Sequence, residues 1–283
     1  MRSAFFLAGL LIIVKVQAQN LVPNPGFEDT LGCPYQWDGI QMGYAANWFQ
    51  PTWGSSDLFT GCYLVPQSFN GYQDAHGGSS YGGFITSCHK PFGCDSTNPN
   101  REYLSARLNQ TLIQGQLYYC TFHISRADSV QYASKLGVLF SDSLSQASTM
   151  PLPYTPQFET TTAHFDKLSW TEISFSFVAT GDEDFITIGN FRNDLESDIV
   201  YTGDGGDQSN WEYLFAYYYI DDICLSPDSQ YCKGEVGLNE YDKLDIELIR
   251  ITDMFGNTVK ETSNTLLLYH YSDGSIQKRI HLE

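Results

Sequence analysis

The sequence predicts an all-β protein, an antiparallel β-sandwich of jelly-roll type followed by a small C-terminal β unit. Three observations carry that prediction. Aromatic residues make up 15 % of the chain, with 19 Tyr and 18 Phe, while charged residues are only 17 %, a balance that favours strands and turns over helices. Leu168 to Val178 reads Leu-Ser-Trp-Thr-Glu-Ile-Ser-Phe-Ser-Phe-Val, an apolar/polar alternation of period two that marks a strand with one wet face. Many short runs of this kind are separated by clusters of Gly, Asn, Asp and Pro, the spacing of a sandwich with Greek-key or jelly-roll connections. At 283 residues the chain is long enough for a substantial core.

Residues 1–18 have the anatomy of a secretory signal peptide. Arg2 supplies the positive start, Phe5 to Val14 the apolar stretch, and Val16-Gln17-Ala18 the small-residue end. Lys15 interrupts the apolar run well short of the roughly 20 residues a membrane span needs, and no other segment is apolar enough to cross a bilayer. The expected location is therefore secreted, extracellular or on the cell surface. The net charge of -18 disfavours nucleic acid and anionic membranes as partners. It suits divalent cations, although solubility alone accounts for an acidic surface.

An exported chain meets an oxidising compartment, so its seven cysteines are expected to form disulfides. Proximity suggests Cys33 with Cys62, Cys88 with Cys94 and Cys224 with Cys232, leaving Cys120, inside the strand-like run Leu117 to Phe122, unpaired; spacing alone does not fix the connectivity. A zinc site is the competing reading and is disfavoured, because no CxxC or paired Cys/His spacing occurs.

The mature domain is expected over residues 19–227. Residues 21–75 read as one strand and long irregular loops carrying Trp37, Trp48, Phe49, Trp53, Phe59 and Tyr63. Gly77 to Gly83 forms a turn that lacks the order of a phosphate loop and is not followed by a helix pattern. Strands are predicted over 102–108, 117–125, 135–140, 168–178 and 185–191, with one short helix around Asp142 to Ala147. Residues 192–211 form an acidic, Gly-rich loop whose Thr202 to Asp207 segment does not match an EF-hand and reads as solvated. A linker follows at 228–240. In the last unit, 241–283, strands are predicted over 244–253, 258–262, 265–271 and 276–282, with turns at 254–257 and 272–275.

Two distant stretches organise the reading of function. Asn24-Pro25-Gly26-Phe27-Glu28-Asp29 opens the mature domain and Tyr217-Tyr218-Tyr219-Ile220-Asp221-Asp222-Ile223 closes it. Each sets carboxylates beside a strand that ought to be buried, and buried carboxylates must be paired, hydrogen-bonded or metal-bound. Only 15 Lys and Arg are available to pair with 33 acids. The first and last strands are therefore expected side by side, with their acids sharing a hard cation such as calcium and Asn24 adding an oxygen.

"NPGFED" and "YYYIDDI" together resemble the secreted carbohydrate-binding-module-like β-sandwiches, the galactose-binding-like jelly rolls, over roughly Asn20 to Pro227. That resemblance implies the sandwich fold and a structural calcium held by Glu28 and Asp221. The tail is similar to the C-terminal sorting domain of Bacteroidetes type IX secretion, through Ile251-Thr252-Asp253-Met254-Phe255-Gly256-Asn257, Leu268-Tyr269-His270-Tyr271, Asp273-Gly274 and Lys278-Arg279-Ile280. It departs from that pattern where Leu-Leu-Leu-Tyr replaces the usual G-x-Y. The resemblance implies the type IX machinery as a partner; a small β appendage docked on the main domain is the competing reading.

No GxSxG, HExxH or Walker motif is present. The histidines, at 76, 89, 123, 164, 270 and 281, have no i, i+4 partner, and His123, in a predicted strand, reads as a hydrogen-bonded or edge residue rather than a ligand. Among 33 acids some pair will always resemble a glycosidase dyad, so none is singled out. The expected function is a non-catalytic module that binds a polysaccharide or other glycan through Trp48, Trp53 and Trp211, with calcium as scaffold. The alternative is a structural or adhesive cell-surface protein that binds other proteins and no glycan.

Overall fold

The computed structural model describes residues 19–34, 41–88, 101–144, 151–193, 196–206, 214–233, 248–253, 257–260, 265–271 and 276–280. The predicted signal peptide lies outside these residues. The chain divides into two compact units, one through Gly234 and the other from Glu235.

Alternation and turns build the first unit as two five-stranded antiparallel sheets. One has the order β1 (Trp48–Phe49), β6 (Tyr103–Arg107), β12 (Phe185–Gly189), β9 (Gly137–Ser141) and β10 (Phe158–Glu159). The other runs β11 (Thr171–Val178), β7 (Leu117–Arg126), β14 (Phe215–Ser226), β5 (Ser80–Cys88) and β2 (Asp57–Thr60). A hairpin of β3 (Gln67–Ser68) and β4 (Gly71–Tyr72) and a ribbon of β8 (Tyr132–Ala133) and β13 (Val200–Tyr201) complete it. The predicted strands at 102–108, 117–125, 135–140, 168–178 and 185–191 are present, with ends moved by a few residues. The predicted helix is not formed over Asp142 to Leu144, and its remainder lies outside the described residues.

The main core lies between the sheets. Leu58, Phe84, Leu104, Tyr118, Phe122, Ile124, Val138, Phe140, Ile186, Ile188, Tyr218 and Ile220 meet there. They are the alternate residues of their strands, as a pleated sheet demands. The outer face of the β11–β7–β14–β5–β2 sheet is also covered. Phe59, Tyr81, Ala127, Val130, Tyr217 and Tyr219 form a second apolar cluster there, under the connections that carry β3 and β4.

Strand β14 has both faces buried along nearly all of its 12 residues. Ala216, Tyr218 and Ile220 point into the main core, and Tyr217 and Tyr219 into the outer cluster. Strict alternation would then send Asp222 inward and Ile223 outward. A bulge between Asp221 and Cys224 prevents this: Asp222 takes φ +50°, and Ile223 and Leu225 return to the core. One extra residue resets the register, and two adjacent acids stay out of the apolar interior.

The N-terminal segment lies along this end of β14, as the opening and closing stretches predicted. Leu21 N donates to Leu225 O at 2.8 Å and Ile223 N to Pro25 O at 3.0 Å. Asn20 adds a side-chain clamp, Nδ2 donating to Ile223 O at 2.9 Å and Oδ1 accepting from Leu225 N at 3.0 Å.

Disulfides join Cys33 to Cys62 and Cys224 to Cys232. Cys88 is also disulfide-bonded; its expected partner Cys94 lies outside the described residues. Cys120 is free and buried, and burial pushes its thiol far above the usual range. The Cys224–Cys232 bridge ties Tyr231–Lys233, a 3-10 turn, to the sandwich, where Thr121 Oγ1 donates to Cys232 O at 3.3 Å. The early part of the expected 228–240 linker is thus fastened rather than free; 234–240 lie outside the described residues.

The second unit is a three-stranded antiparallel meander of β15 (Leu248–Thr252), β16 (Leu266–Tyr271) and β17 (Ile276–Ile280). Four strands were expected. Over 258–260 the described chain makes only one bridge, Thr258 with Thr252, and Val259 N donates to Ile251 O at 3.0 Å. The rest of the expected 258–262 strand lies outside the described residues.

Candidate functional site

The acids of the opening and closing stretches meet at one loop, residues 76–80. Glu28 Oε1 accepts from Ser79 N and Ser80 N, each at 2.7 Å, and Oε2 from Ser79 Oγ at 2.9 Å and Ser80 Oγ at 3.4 Å. Asp221 Oδ2 accepts from His76 N at 2.9 Å and Gly77 N at 3.1 Å; Oδ1 accepts from Asp222 N at 2.8 Å. Gly77 and Gly78 let the carboxylates come this close to the loop because neither carries a side chain. A Cβ on Gly77 would stand 2.6 Å from Asp222 Oδ2, and one on Gly78 would collide with Glu28 Oε1.

Strain marks the same place. Asn24 (φ +45°), Phe27 (φ +59°) and Asp222 (φ +50°) all adopt the left-handed region, which side chains other than glycine's disfavour. Phe27 is fully buried and its ring lies 4.9 Å from Trp48. This anchors the strained turn that aims Glu28 at the loop.

Three carboxylates, of Glu28, Asp221 and Asp222, therefore surround Gly26, Gly77 and Gly78. Among the described residues no Lys or Arg forms an ion pair with any of them; Asp222 pairs only with His76, Oδ2 to Nδ1 at 2.6 Å. Asp221 is fully buried, and burial pushes its carboxyl up to about 8 against the pull of the Gly77 amide. Carboxylate oxygens are the hard donors a calcium ion takes; here those of Glu28 and Asp221 accept from amides and hydroxyls of residues 76–80. Asn24 is the exception. Its Nδ2 donates to Asp29 O at 2.9 Å and Ala46 O at 3.0 Å, and its Oδ1 accepts from Asp29 N at 2.9 Å. It closes the 24–29 turn, which corrects its expected place among the ligands.

The three candidate tryptophans do not come together. Trp48 is 3 % exposed, with Nε1 donating to Asn24 O at 2.9 Å. It belongs to the core and its expected ligand contact is corrected. Trp53 is 76 % exposed, in the loop before β2. Trp211 lies outside the described residues.

Two other aromatic residues, linked through Asp74, lie on the outer side of the β11–β7–β14–β5–β2 sheet. Tyr72, at the end of the β3–β4 hairpin, is 54 % exposed, and its hydroxyl donates to Asp74 Oδ2 at 3.3 Å. Trp170, half-buried just before β11, donates from Nε1 to Asp74 O at 2.9 Å. Its ring stands edge-on to His76 at 6.1 Å and to Tyr81 at 5.8 Å. Phe69 is 43 % exposed on the same hairpin and packs on Phe59. Trp170 was legible as part of an alternating strand, but nothing in its spacing tied it to Tyr72, nearly 100 residues earlier.

No family model matches the chain, and no curated protein matches it. Solved structures do. The K2 cleaved adhesin domain of Lys-gingipain shares 14 % identity with a TM-score of 0.37, over 70 % of this chain and 96 % of that one. The K3 domain from Porphyromonas gingivalis shares 11 % identity at TM-score 0.37, over 71 % and 97 %. The CBM22-1 xylan-binding domain of Paenibacillus barcinonensis Xyn10C shares 8 % identity at TM-score 0.38, over 75 % and 97 %.

Proposed function

We propose that this chain is a secreted, non-catalytic β-sandwich module that binds a glycan on the outer face of the β11–β7–β14–β5–β2 sheet. The carrying observation is that exposed Tyr72 and half-buried Trp170 both hydrogen-bond to Asp74, Tyr72 to its carboxylate and Trp170 to its backbone carbonyl. Aromatic faces stack on the apolar face of a sugar ring, and a neighbouring carboxylate such as that of Asp74 accepts from its hydroxyls. Trp53 remains a separate exposed ring. The disulfides fit an oxidising, extracellular location.

Calcium is the scaffold in this reading. Glu28 and Asp221 would hold it, with Asp222 beside them, and it would supply the positive charge that the site's own side chains lack. The C-terminal meander is the part of the chain that the type IX secretion machinery would read.

The test is retention of the protein on a panel of immobilised polysaccharides, with Trp170→Ala and Tyr72→Ala as variants. Saturable binding to one glycan, weakened at least tenfold by either substitution, is the expected result. Absence of binding across the panel would replace this reading with an adhesive one. The exposed Phe165 and Leu168 beside Trp170, 50 % and 85 % exposed, would then be the first contacts to probe against a protein partner.

A further inference from the structure

A second cluster lies on the same sheet face and uses different chemistry. His123 sits on β7 with its side chain outward, opposite Asp221 on β14 and Glu172 on β11. The loop that covers it brings His76, whose ring stacks on His123 at 3.6 Å with 15° between the planes. Asp222 holds His76 through Oδ2 and Nδ1 at 2.6 Å. One ligand atom from each of His76, His123 and Asp222 lies within 4.8 Å of the others. Glu172 Oε2 stands 3.9 Å from His123 Nε2. His123 Nδ1 is buried without a hydrogen-bond partner among the described residues, an arrangement that proteins generally avoid.

We propose that His76, His123 and Asp222 bind a divalent transition ion of the zinc, nickel or copper class. Two imidazoles and a carboxylate are ligands that zinc-class ions take, and calcium, which prefers oxygen throughout, does not. The two imidazoles distinguish this site from the all-oxygen set of Glu28 and Asp221; Asp222 borders both and joins this one through Oδ2 on His76. An imidazole lone pair lies in the plane of its ring, so two stacked rings do not share an ion as they stand. Binding at about 2.0–2.1 Å requires them to splay. His123 is fixed in a strand, so the movement falls to His76 on its exposed loop. Three protein ligands leave a coordination position open, and Glu172 is placed to fill it from the neighbouring strand.

The test titrates untagged full-length protein, saturated with calcium, with zinc by calorimetry and with cobalt by visible absorption. The expected result is one equivalent bound at this site, with affinity falling at least tenfold in His76→Asn and in His123→Asn. Asp222→Asn weakens it as well, and His270→Asn, in the C-terminal unit, leaves it unchanged. Should His123→Asn fail to fold, His76→Asn, on an exposed loop, carries the test alone. Full zinc affinity in His76→Asn, or no saturable zinc binding in the parent protein, overturns the proposal. The calcium response of the parent protein is read separately and is unaffected by either outcome.

Discussion

The two faces of the β11–β7–β14–β5–β2 sheet are built on the same strands but obey different rules. The inner face is mostly apolar: Phe84, Tyr118, Phe122, Ile124, Tyr218 and Ile220 lie against the opposite sheet, with only the Tyr118 and Tyr218 hydroxyls among them needing hydrogen bonds. The outer face is equally dry in places but carries Asp57, Tyr217, Tyr219, His123 and Asp221. Burial there is achieved by covering loops, and each polar atom needs its own partner. Tyr217 Oη donates to Asp57 Oδ2 at 2.6 Å, and Tyr219 Oη meets Ser68 Oγ at 3.1 Å. A sheet face closed by another sheet can be purely hydrophobic; one closed by loops needs side-chain hydrogen bonds to fasten them. Binding chemistry collects on the second kind of face, because the loops bring side chains that the strands lack.

The sharpest way to break this contrast is truncation of the inner face. Phe122 is fully buried in the main core, so Phe122→Ala is expected to cost about 3–5 kcal/mol through lost transfer energy and the cavity left behind. Chemical denaturation of the two proteins measures it. A cost below that of the outer-face substitutions considered next would show that the loops, not the sandwich, hold the fold.

Tyr217→Phe tests the outer face with the smallest change of shape. It removes the hydroxyl that Asp57 accepts from and leaves a buried carboxyl without that donor. The expected loss is about 1–3 kcal/mol. The pH dependence has a definite sign. Burial first, and the nearby Glu102 second, raise the Asp57 carboxyl well above its usual value. The folded state therefore keeps a proton that the unfolded state releases, and this contribution is full below the unfolded value near 4 and declines as pH rises above it. Asp57→Asn should flatten that part of the stability-pH curve, measured by urea unfolding from pH 4 upward. An unchanged slope would remove Asp57 as its source.

The inner face was legible in the sequence and the outer face was not, for a physical reason. Alternation at Thr171–Val178 names Ile173 and Phe177 as inward residues, and the structure buries both. Periodicity works there because one strand decides which side is wet. For β14 it fails, since Tyr217, Tyr218 and Tyr219 are all buried and the bulge that turns Asp222 away from the core leaves no mark in the spacing. The adjacency of the opening and closing stretches was readable because acids beside buried strands demand partners, but the sequence pointed to a shared cation and not to a loop. Those partners proved to include the amides of 76–80, which have no side-chain signal. Trp48 was misread because a tryptophan in a loop sequence looks the same whether it anchors a turn or faces a ligand. His76, His123 and Asp222 come from a loop and two strands far apart in the chain, so a search for paired histidine spacings had nothing to find.

The smallest expected effect lies where the outer-face loops are clamped at the sheet edge. Arg126, at the end of β7, is 1 % exposed. Its Nε donates to Phe165 O at 3.1 Å, Nη1 to Val130 O at 2.8 Å, and Nη2 to Asp204 Oδ1 and Oδ2 at 2.8 and 2.7 Å. One guanidinium thus fastens three connections. Burial tends to raise the Asp204 carboxyl, but the Thr202 hydroxyl and Arg126 outweigh it and hold it at about 2. A depressed acid contributes stability above its unfolded value, near 4, and loses it as pH falls toward about 2. Asp204 is itself half exposed, and solvent screens the pair. Asp204→Ala is therefore expected to cost only roughly 1 kcal/mol at neutral pH, with the difference from the parent closing between about pH 4 and pH 2. Acid unfolding of both proteins followed by tyrosine and tryptophan fluorescence tests it. A difference that persists undiminished at pH 2 would mean that Asp204 acts by shape and not by charge, and that the backbone carbonyls alone hold Arg126.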